Sequence, residues 1–568
     1  MTDSARNLME RRKSLFKELA KVGTFRRGTI SLNYRKCGKK NCACAKQGHP
    51  GHGPQYLWST TVKGKSHTKQ LKVGPELQKY IKENDNYRTF QRLCNEIITA
   101  SEKLSDLTPL PDVGEDIETE EFKKKLTESL CGEIQKEVDR IIAMISNEGR
   151  IDLESVEMRV RSSMHGIGGL LIETLLNADS GFKGKNIPCE SGHTYEFLEY
   201  RKKEILTVMG TVGVNRAYYY DRQCRSGMCP KDKELDIERT AFSPGVRRIK
   251  ARVGSYRAFG LGHEDIKEIA GIEVAAQEIE RTCNRIGRQV EEFFDKQVAA
   301  ALSGKVVPIK SVPRMYVCMD GTGVPMVKRE LLNRQGKAED GSAKTREAKL
   351  GCVFTQTDLD EKGRPVRDEG STSYVGAIET ADVFGKRIYA EARRRGIDRA
   401  KEVAVLGDGA SWIWNIAEEC FPGAVQIIDL YHAREHYWNA GRALLDHNKK
   451  KLHKWANRRR KELDKGQVEK VIEAIGRLSP PTEDGRKVCE KTINYFEKNK
   501  ERMRYNAFRK KGFFVGSGVL EAGCRSVIGQ RLKLSGMHWT VDGANNIIAL
   551  RCCFFSNRWE DFWEHRAA

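Results

Sequence analysis

Apolar and polar positions change period several times along this chain, and each change marks a new element. In "IQKEVDRIIAMI" apolar residues recur at three- and four-residue spacing, and the stretch from 123 to 180 is predicted to be helical. "EILTVMGTVGVNRAYYY" (Glu204–Tyr220) alternates apolar and polar around Gly210 and Gly213, the pattern of a β-hairpin. Helical spacing resumes from Ser243 to about Phe294, and "SGKVVPIKSVP" (Ser303–Pro313) breaks it. Three strand candidates follow: "RMYVCMD", "AKLGCVFTQTDL" and "STSYVGAI", the first two separated by a polar loop rich in Lys and Gly. Next come the helix "TADVFGKRIYAEARRRG", the strand "EVAVLGD", the helix "ASWIWNIAEEC" and the strand "AVQIIDLYH". Beyond these the pattern is helical to the end. The order of elements is βββαβαβα.

Length turns this order into a multidomain α/β expectation. With 568 residues, three or four domains are expected. They are an N-terminal Cys-rich module (1–103), an acidic linker "LSDLTPLPDVGEDIETEEF" (104–122), a region at 123–302 and a core at 314–568. Within 123–302 lie the hairpin segment 187–231 and the helical segment 243–294; the core carries a helical insertion at about 437–511. No apolar run approaches the roughly 18 residues of a membrane span. The start "MTDSARNLMERRKSLFKEL" is amphipathic, unlike a signal peptide. A cytoplasmic protein with no membrane partner is expected. Lys plus Arg minus Asp plus Glu is 100 − 78 = +22, which points to a polyanionic partner, above all nucleic acid. Sixteen cysteines inside a cell argue for thiols and metal ligands over disulfides. Cys318, Cys352, Cys552 and Cys553, in apolar surroundings, read as small buried hydrophobes.

"MDGTGVPMV" poses the chemical question: a strand that reads as buried ends on Asp320, followed at once by glycines. A turn former or cap accounts for one such acid; partners from other segments make a site. The order βββαβαβα is that of a ribonuclease H-like mixed sheet. In such a sheet Asp320 ends the first strand and Asp408, in "VAVLGDGASW", ends the fourth, so both stand at one edge. Glu521, in "VGSGVLEAGCRSVIGQRLKLSGMHWT", is the candidate third acid. Three acids suit two hard divalent cations about 4 Å apart, because Mg²⁺ prefers carboxylate oxygens and waters. Taken singly, Asp408 also reads as a helix N-cap and Glu521 as an i,i+4 partner of Arg525.

The wording of these segments goes further. "DGTGVPMVKRE", "TREAKLGCVFTQT", "STSYVGAIETADVFGKRIYAEA", "GDGASWIWNIAEECFPGAVQIIDLYHAREH" and "ERMRYNAFRKKGFFVGSGVLEAGCRSVIGQRLKLSGMHWTVDGANNIIALRCC" resemble transposases of the Kra-type insertion sequences. The resemblance runs from about Cys131 to the C-terminus. It implies a DNA transposase whose Asp-Asp-Glu triad falls on Asp320, Asp408 and Glu521, with two Mg²⁺ (or Mn²⁺) as cofactors. Asp429 competes with Asp408 for the second position; Asp429 and His432 are assigned supporting roles. The implied partners are terminal inverted repeats and target DNA, bound in the bacterial cytoplasm with the nucleoid by a homodimer or larger assembly. Two alternatives remain open: a non-enzymatic DNA-binding protein derived from a transposase, and a metal-dependent nuclease without strand transfer.

Other segments are candidate DNA contacts. "KKKLHKWANRRRK" (Lys449–Lys461) has eight Lys and Arg and no acid, a phosphate track or a solvated face. Lys449, Lys450 and Lys451 are its leading candidates. Near Glu521, Arg525, Lys533 and Trp539 are assigned to DNA. Trp455 and Trp539 either stack on an unpaired base or pack in the core. "HEDIKEIAGIEVAAQEIERTCNRIG" (His263–Gly287) is similar to a helix-turn-helix around Gly271, with Gln277, Arg281 and Arg285 pointing outward; the alternative is a plain helical pair.

Two clusters have zinc-ligand chemistry. "CGKKNCACAKQGHPGHG" offers Cys37, Cys42, Cys44, His49 and His52 within sixteen residues; Zn²⁺ on Cys37, Cys42, Cys44 and His52 is expected, against reduced unligated thiols. This segment looks like a small Cys-rich domain of unknown function. Cys189 and His193 in "PCESGH", with Cys224 and Cys229 in "CRSGMCP", flank the hairpin as in a zinc ribbon. Here Asp221 stands near the place where the Kra-type relatives carry a cysteine.

Overall fold

The computed structural model describes residues 3–38, 42, 45, 52–62, 65–107, 119–148, 152–189, 191–303, 312–336 and 343–567. The chain divides into two compact units, Met1–Lys124 and Lys125–Ala568. Among the described residues no helix is long and apolar enough to cross a membrane. The expected linker lies mostly outside the described residues.

In the first unit, helix α1 (Asp3–Leu19) precedes an antiparallel sheet of β1 (Thr29–Arg35), β2 (His52–Val62) and β3 (Lys65–Leu71) in sequence order, and α2 (Pro75–Leu107) packs back along α1. Its sheet side is held by a small core of Leu71, Leu77 and Tyr80. Trp58 meets the Tyr80 ring edge-on at 5.7 Å, and Arg26 lies over the same ring at 4.2 Å while pairing with Glu83 at 2.7 Å.

The second unit opens with α3 (Thr119–Glu148), which crosses the boundary, and α4 (Leu153–Asn177), capped by the Asp152 side chain on the Ser155 N–H at 3.0 Å. An antiparallel sheet follows, β4 (Asn186–Pro188), β5 (Thr194–Thr207), β6 (Gly210–Asp221) and β7 (Ser226–Met228). The predicted hairpin is present, and β5 starts ten residues earlier than its alternation suggested. A two-residue turn closes it, with Gly210 at φ +107°, backbone that favours glycine. Then come α5 (Pro230–Glu234), α6 (Pro244–Tyr256), α7 (Phe259–Asp265), a π-helical turn (Ile266–Ala270), left-handed Gly271 and α8 (Ala276–Leu302).

The central sheet is built from β8 (Arg314–Pro325), β9 (Thr345–Gln356) and, past a short hairpin of β10 (Asp358–Leu359) and β11 (Pro365–Val366), β12 (Ser373–Ala377). Helix α9 (Ala381–Arg394), β13 (Glu402–Gly407), α10 (Ser411–Cys420) and β14 (Val425–Ile428) complete it. The spatial order is β12-β9-β8-β13-β14, so the first three strands form an antiparallel meander and β13 and β14 add in parallel on the far side of β8. Both faces of β8 are covered, which explains its unbroken apolar run Met315–Met319. Tyr316 stacks on its cross-strand partner Phe354 with centroids 4.8 Å apart, and Phe513 and Phe514 close over Tyr316 edge-on.

Helices α11 (Leu430–Leu445), α12 (Lys449–Asp464), α13 (Val468–Gly476), α14 (Glu483–Asn499) and α15 (Tyr505–Lys510) occupy the expected insertion. The chain then returns through α16 (Gly518–Gly523), a π-helical segment (Cys524–Gly529), α17 (Gln530–Leu532), α18 (Val541–Phe555) and α19 (Trp559–Ala567). The expected break at 303–313 separates elements but not cores: Val246, Ile279 and Val290 belong to the same apolar cluster as Val317 and Leu406 of the sheet. Helix α8 lies directly against α18, and a Cβ on Gly287 would fall 2.6 Å from the Asn546 carbonyl oxygen. Cys318, Cys352, Cys552 and Cys553 are buried, as their surroundings predicted.

Candidate functional site

Strand β8 does not end at Asp320 as the sequence suggested. It continues to Pro325, paired with β9 throughout, whereas its parallel pairing with β13 stops at Met319–Gly407. Asp320 and Asp408 are the next residue on each of these two neighbouring strands. They therefore stand side by side where the sheet opens between β8 and β13, about one strand spacing apart. The two glycines after Asp320 serve β9: a Cβ on Gly321 would meet the Glu347 carboxylate, and one on Gly323 would lie 2.8 Å from Thr345 Oγ1.

Burial pushes the Asp320 carboxyl above the usual carboxylate range; the Cys524 thiol and Gly321 N–H work against this, and the nearby Asp408 charge adds to it. Cys524 Sγ lies 3.3 Å from Asp320 Oδ2. Glu521 is three residues before Cys524 on the same helical segment, and residues at that spacing share a face. Glu521 is exposed and forms no ion pair with Arg525 among the described residues. Asp320, Asp408 and Glu521 do not converge within 4.8 Å as one tight group of ligand atoms.

The insertion contributes to this edge. Tyr495, from α14, donates its hydroxyl to the Asp408 carbonyl at 2.8 Å, and its ring covers Gly409, whose φ of +108° and lack of a Cβ make room for it. His436 stacks on the same ring at 3.8 Å, and its Nε2 lies 3.3 Å from His432 Nε2. The cap expected at Asp408 is found instead at Asp429. Asp429 is buried; Oδ1 accepts the His432 N–H at 2.7 Å to start α11, and Oδ2 accepts the Ser517 N–H just before α16. Helix α10 is capped at Ala410, and Asp408 merely accepts the Ala410 N–H at 2.9 Å.

Burial, with His432 next to it, pulls the His436 imidazole down to about 4. A depressed imidazole binds its proton less readily folded than unfolded, so between about pH 6.5 and 4 stability falls as pH falls. His436→Gln is expected to move the acid-unfolding midpoint to lower pH, read by fluorescence across that window. An unchanged midpoint would mean the ring is solvated.

The basic segment forms α12 with Leu452, Ala456 and Leu463 facing inward, and Lys449, Lys450 and Lys451 exposed. Arg459 is buried against Glu462 at 2.7 Å and is no part of a phosphate track. Replacing Lys449, Lys450 and Lys451 by Ala is expected to weaken DNA binding equally across sequences. The salt dependence of log K should flatten by roughly 0.9 per lost phosphate contact; an unchanged slope makes the run a solvated face. Lys533 Nζ donates to Thr322 Oγ1, two residues beyond Asp320, and Arg525 is exposed.

Trp539 is a correction. Only 9% of it is exposed; its backbone bonds Pro325 and Val327, and its indole donates to the Leu532 carbonyl at 3.0 Å, so no base can stack on it. Trp455 packs against Gly441 and Tyr437. In α8, Gln277 and Arg281 are exposed, but Arg285 is half-buried, with Arg566 and Asp236 nearby, and does not point outward. Helix α8 also runs 27 residues along the core, with Ile279, Cys283, Ile286, Val290 and Phe294 on its buried face.

In the first unit, β1–β2 pairing sets Arg35 opposite His52 and thereby carries Cys37 and His52 together. With Cys42 they form a group whose ligand atoms all lie within 4.8 Å and which can hold a metal ion such as zinc; Cys42 Sγ is 2.9 Å from His52 Nε2. Cys44 lies outside the described residues. Cys42→Ser is expected to lower the zinc content by one ion per chain and to fray this end of the β1–β2 pair, with the second unit still folded. Metal analysis showing the same content in both proteins would refute it. In the second unit Cys229 lies apart from Cys189 and Cys224: it is buried at the start of α5.

Residues 6–79 match a domain of unknown function (DUF6788), which takes in α1, the three-stranded sheet and the Cys37–Cys42–His52 group. No curated protein matches the chain.

Proposed function

We propose that the chain is a DNA transposase of the Asp-Asp-Glu class, with a ribonuclease H-like core that cleaves and joins DNA ends. The observation that carries this reading is the side-by-side placement of Asp320 and Asp408, each the first residue beyond the parallel β8–β13 pairing, where β8 parts from β13 while staying paired to β9. The strand order, a three-strand meander extended in parallel on its first strand, supports it too. So does the contact of Cys524 with Asp320, which brings the Glu521 segment to the same edge.

Two Mg²⁺ ions, when bound, supply Lewis-acid activation of the attacking oxygen and stabilisation of the leaving one. Asp320 and Asp408 would suit such ions, since a cation would relieve the mutual repulsion of two neighbouring, half-buried carboxylates. In this reading Glu521 supplies the remaining carboxylate, while Lys533 and the exposed lysines of α12 hold phosphates. Tyr495 fixes the turn that carries Asp408, and Asp429 ties the start of α11 to the backbone before α16. The positive charge of +22 suits a DNA partner, and joining two ends calls for at least two copies of the chain.

The test is incubation of the purified chain with DNA carrying its element's terminal repeats, target DNA and Mg²⁺ or Mn²⁺. End cleavage and joining of a 3′-hydroxyl to target support the proposal. Cleavage without joining of pre-cleaved ends makes the protein a nuclease; end binding without either makes it a DNA-binding protein.

A further inference from the structure

We propose that Cys189, His193, Asp221 and Cys224 form a four-ligand Zn²⁺ site in which the carboxylate of Asp221 is the anionic oxygen ligand beside two thiolates. Two turns at the same end of the four-stranded sheet build it. After β4, the Cys189 N–H donates to the His193 carbonyl at 2.8 Å and the Gly192 N–H to the Cys189 carbonyl at 3.0 Å, with Gly192 at φ +81°. This tight loop sets Cys189 and His193 next to each other. After β6, Asp221 Oδ1 accepts the N–H groups of Gln223 and Cys224 at 2.8 and 3.0 Å. That side-chain turn folds Cys224 back over the end of the strand.

The donor atoms then meet. Cys189 Sγ and Cys224 Sγ are 3.8 Å apart, His193 Nδ1 is 3.1 Å from Cys224 Sγ, and His193 Nδ1 is 3.8 Å from Asp221 Oδ2. A tetrahedral zinc with Zn–S bonds of about 2.3 Å has S···S edges of about 3.8 Å. The ligand atoms of Cys189, Asp221 and Cys224 all lie within 4.8 Å of one another; His193 stands against Cys224 and Asp221 but outside that group, and a rotation of its ring completes the site.

The independent observation is Asp221 itself. It is 1% exposed, and Oδ2 is buried with no hydrogen-bond partner. A buried carboxylate oxygen faced only by two thiols, which are weak donors, and by an imidazole beyond hydrogen-bond reach is costly, and a cation at the centre of these four groups would satisfy it. Its other oxygen is already spent on the turn, so the free one is aimed by the backbone. A disulfide between Cys189 and Cys224 is the competing use of the thiols, but it would leave that oxygen without a partner.

The role is structural. The apolar cluster under this sheet is small (Ile205, Val212, Val214 and Ile237) and lies at the hairpin-turn end. The outer half of β5, Thr194–Lys203, is mostly exposed. A bound ion would staple β4 and β7 to the far ends of β5 and β6, beyond the small aromatic cluster of Phe182, Phe197 and Tyr219. The site is independent of the strand-transfer reading.

The test uses the full chain carrying Cys42→Ser, purified under reductant, with zinc and cobalt as probes. One zinc per chain is expected, and Co²⁺ should give the thiolate charge-transfer and d–d bands of a tetrahedral two-sulfur site. Asp221→Asn keeps the acceptor for the turn and loses the anionic ligand; it should weaken zinc binding by more than about 100-fold, beyond what outer-shell partners do. Asp221→Cys and Cys229→Ser should both retain the ion. Zinc affinity unchanged in Asp221→Asn, with circular dichroism unchanged, would overturn the assignment of Asp221. Absence of metal uptake by the reduced Cys42→Ser chain, or its loss in Cys229→Ser, would overturn the site.

Discussion

Asp320→Asn is expected to abolish both the proposed cleavage and strand transfer while leaving binding of element ends nearly intact, the largest effect expected from any single substitution in the chain. The amide keeps the shape of the side chain but not its charge, and a neutral oxygen cannot hold paired dications close together. The expected loss is about three orders of magnitude or more, the scale on which one member of a catalytic unit acts. Asp408→Asn and Glu521→Gln should match it, and double substitutions should be no worse than single ones. Mn²⁺ should rescue the conservative variants in part. Asp429→Asn is the control. Its oxygens hold the His432 and Ser517 N–H groups, so one backbone tie is weakened and activity falls only partly. Full loss in Asp429→Asn together with residual activity in Asp408→Asn would transfer the ligand role to Asp429. An Asp320→Asn protein that cleaves normally would remove the enzymatic reading altogether.

Arg551→Leu is expected to cost the second unit about 3 kcal/mol of stability, from buried carbonyls left without donors. Arg551 is 1% exposed and joins three segments: Nε donates to the Val527 carbonyl at 2.7 Å, Nη2 to the Ser526 carbonyl, and Nη1 to the Ser255 carbonyl at the end of α6. Two of these carbonyls belong to the π-helical segment that follows Glu521, where the ordinary i→i+4 ladder is interrupted. Burial pulls the guanidinium down to about 10, a desolvation cost that offsets part of the gain. Chemical denaturation of the full chain, followed by tryptophan fluorescence, should show an earlier transition, and Arg551→Lys should recover only part because one ammonium nitrogen cannot reach carbonyls that Nε, Nη1 and Nη2 serve from separate positions. An unmoved transition would mean the π-helical segment holds itself.

The elements from Arg314 to Ile428 were legible in the chain because each writes its burial into a local period. Met315–Met319 is apolar throughout since both faces of β8 are covered, and the strand–helix alternation after Ala377 follows from the change between periods of 2 and 3.6. The chemistry of Cys37, Cys42 and His52 was legible for the same local reason, a set of ligand types close in sequence. Tertiary structure decided what depends on distant partners. Asp320 was expected to end its strand, yet β9 carries β8 on to Pro325, and only the end of β13 pairing opens the sheet there. Asp408 and Asp429 look alike locally; the Ser517 N–H, 88 residues away, engages Asp429. Tyr495 carried no signal at all, since its contact with Asp408 spans 87 residues of chain. Trp539 looked available for stacking until Pro325 and Leu532 claimed it, and Asp221 looked like a lost ligand until its free oxygen was found facing two thiols. Periodicity records which side of an element is covered; it does not record what covers it, and in this protein the partners that complete each candidate site come from far along the chain.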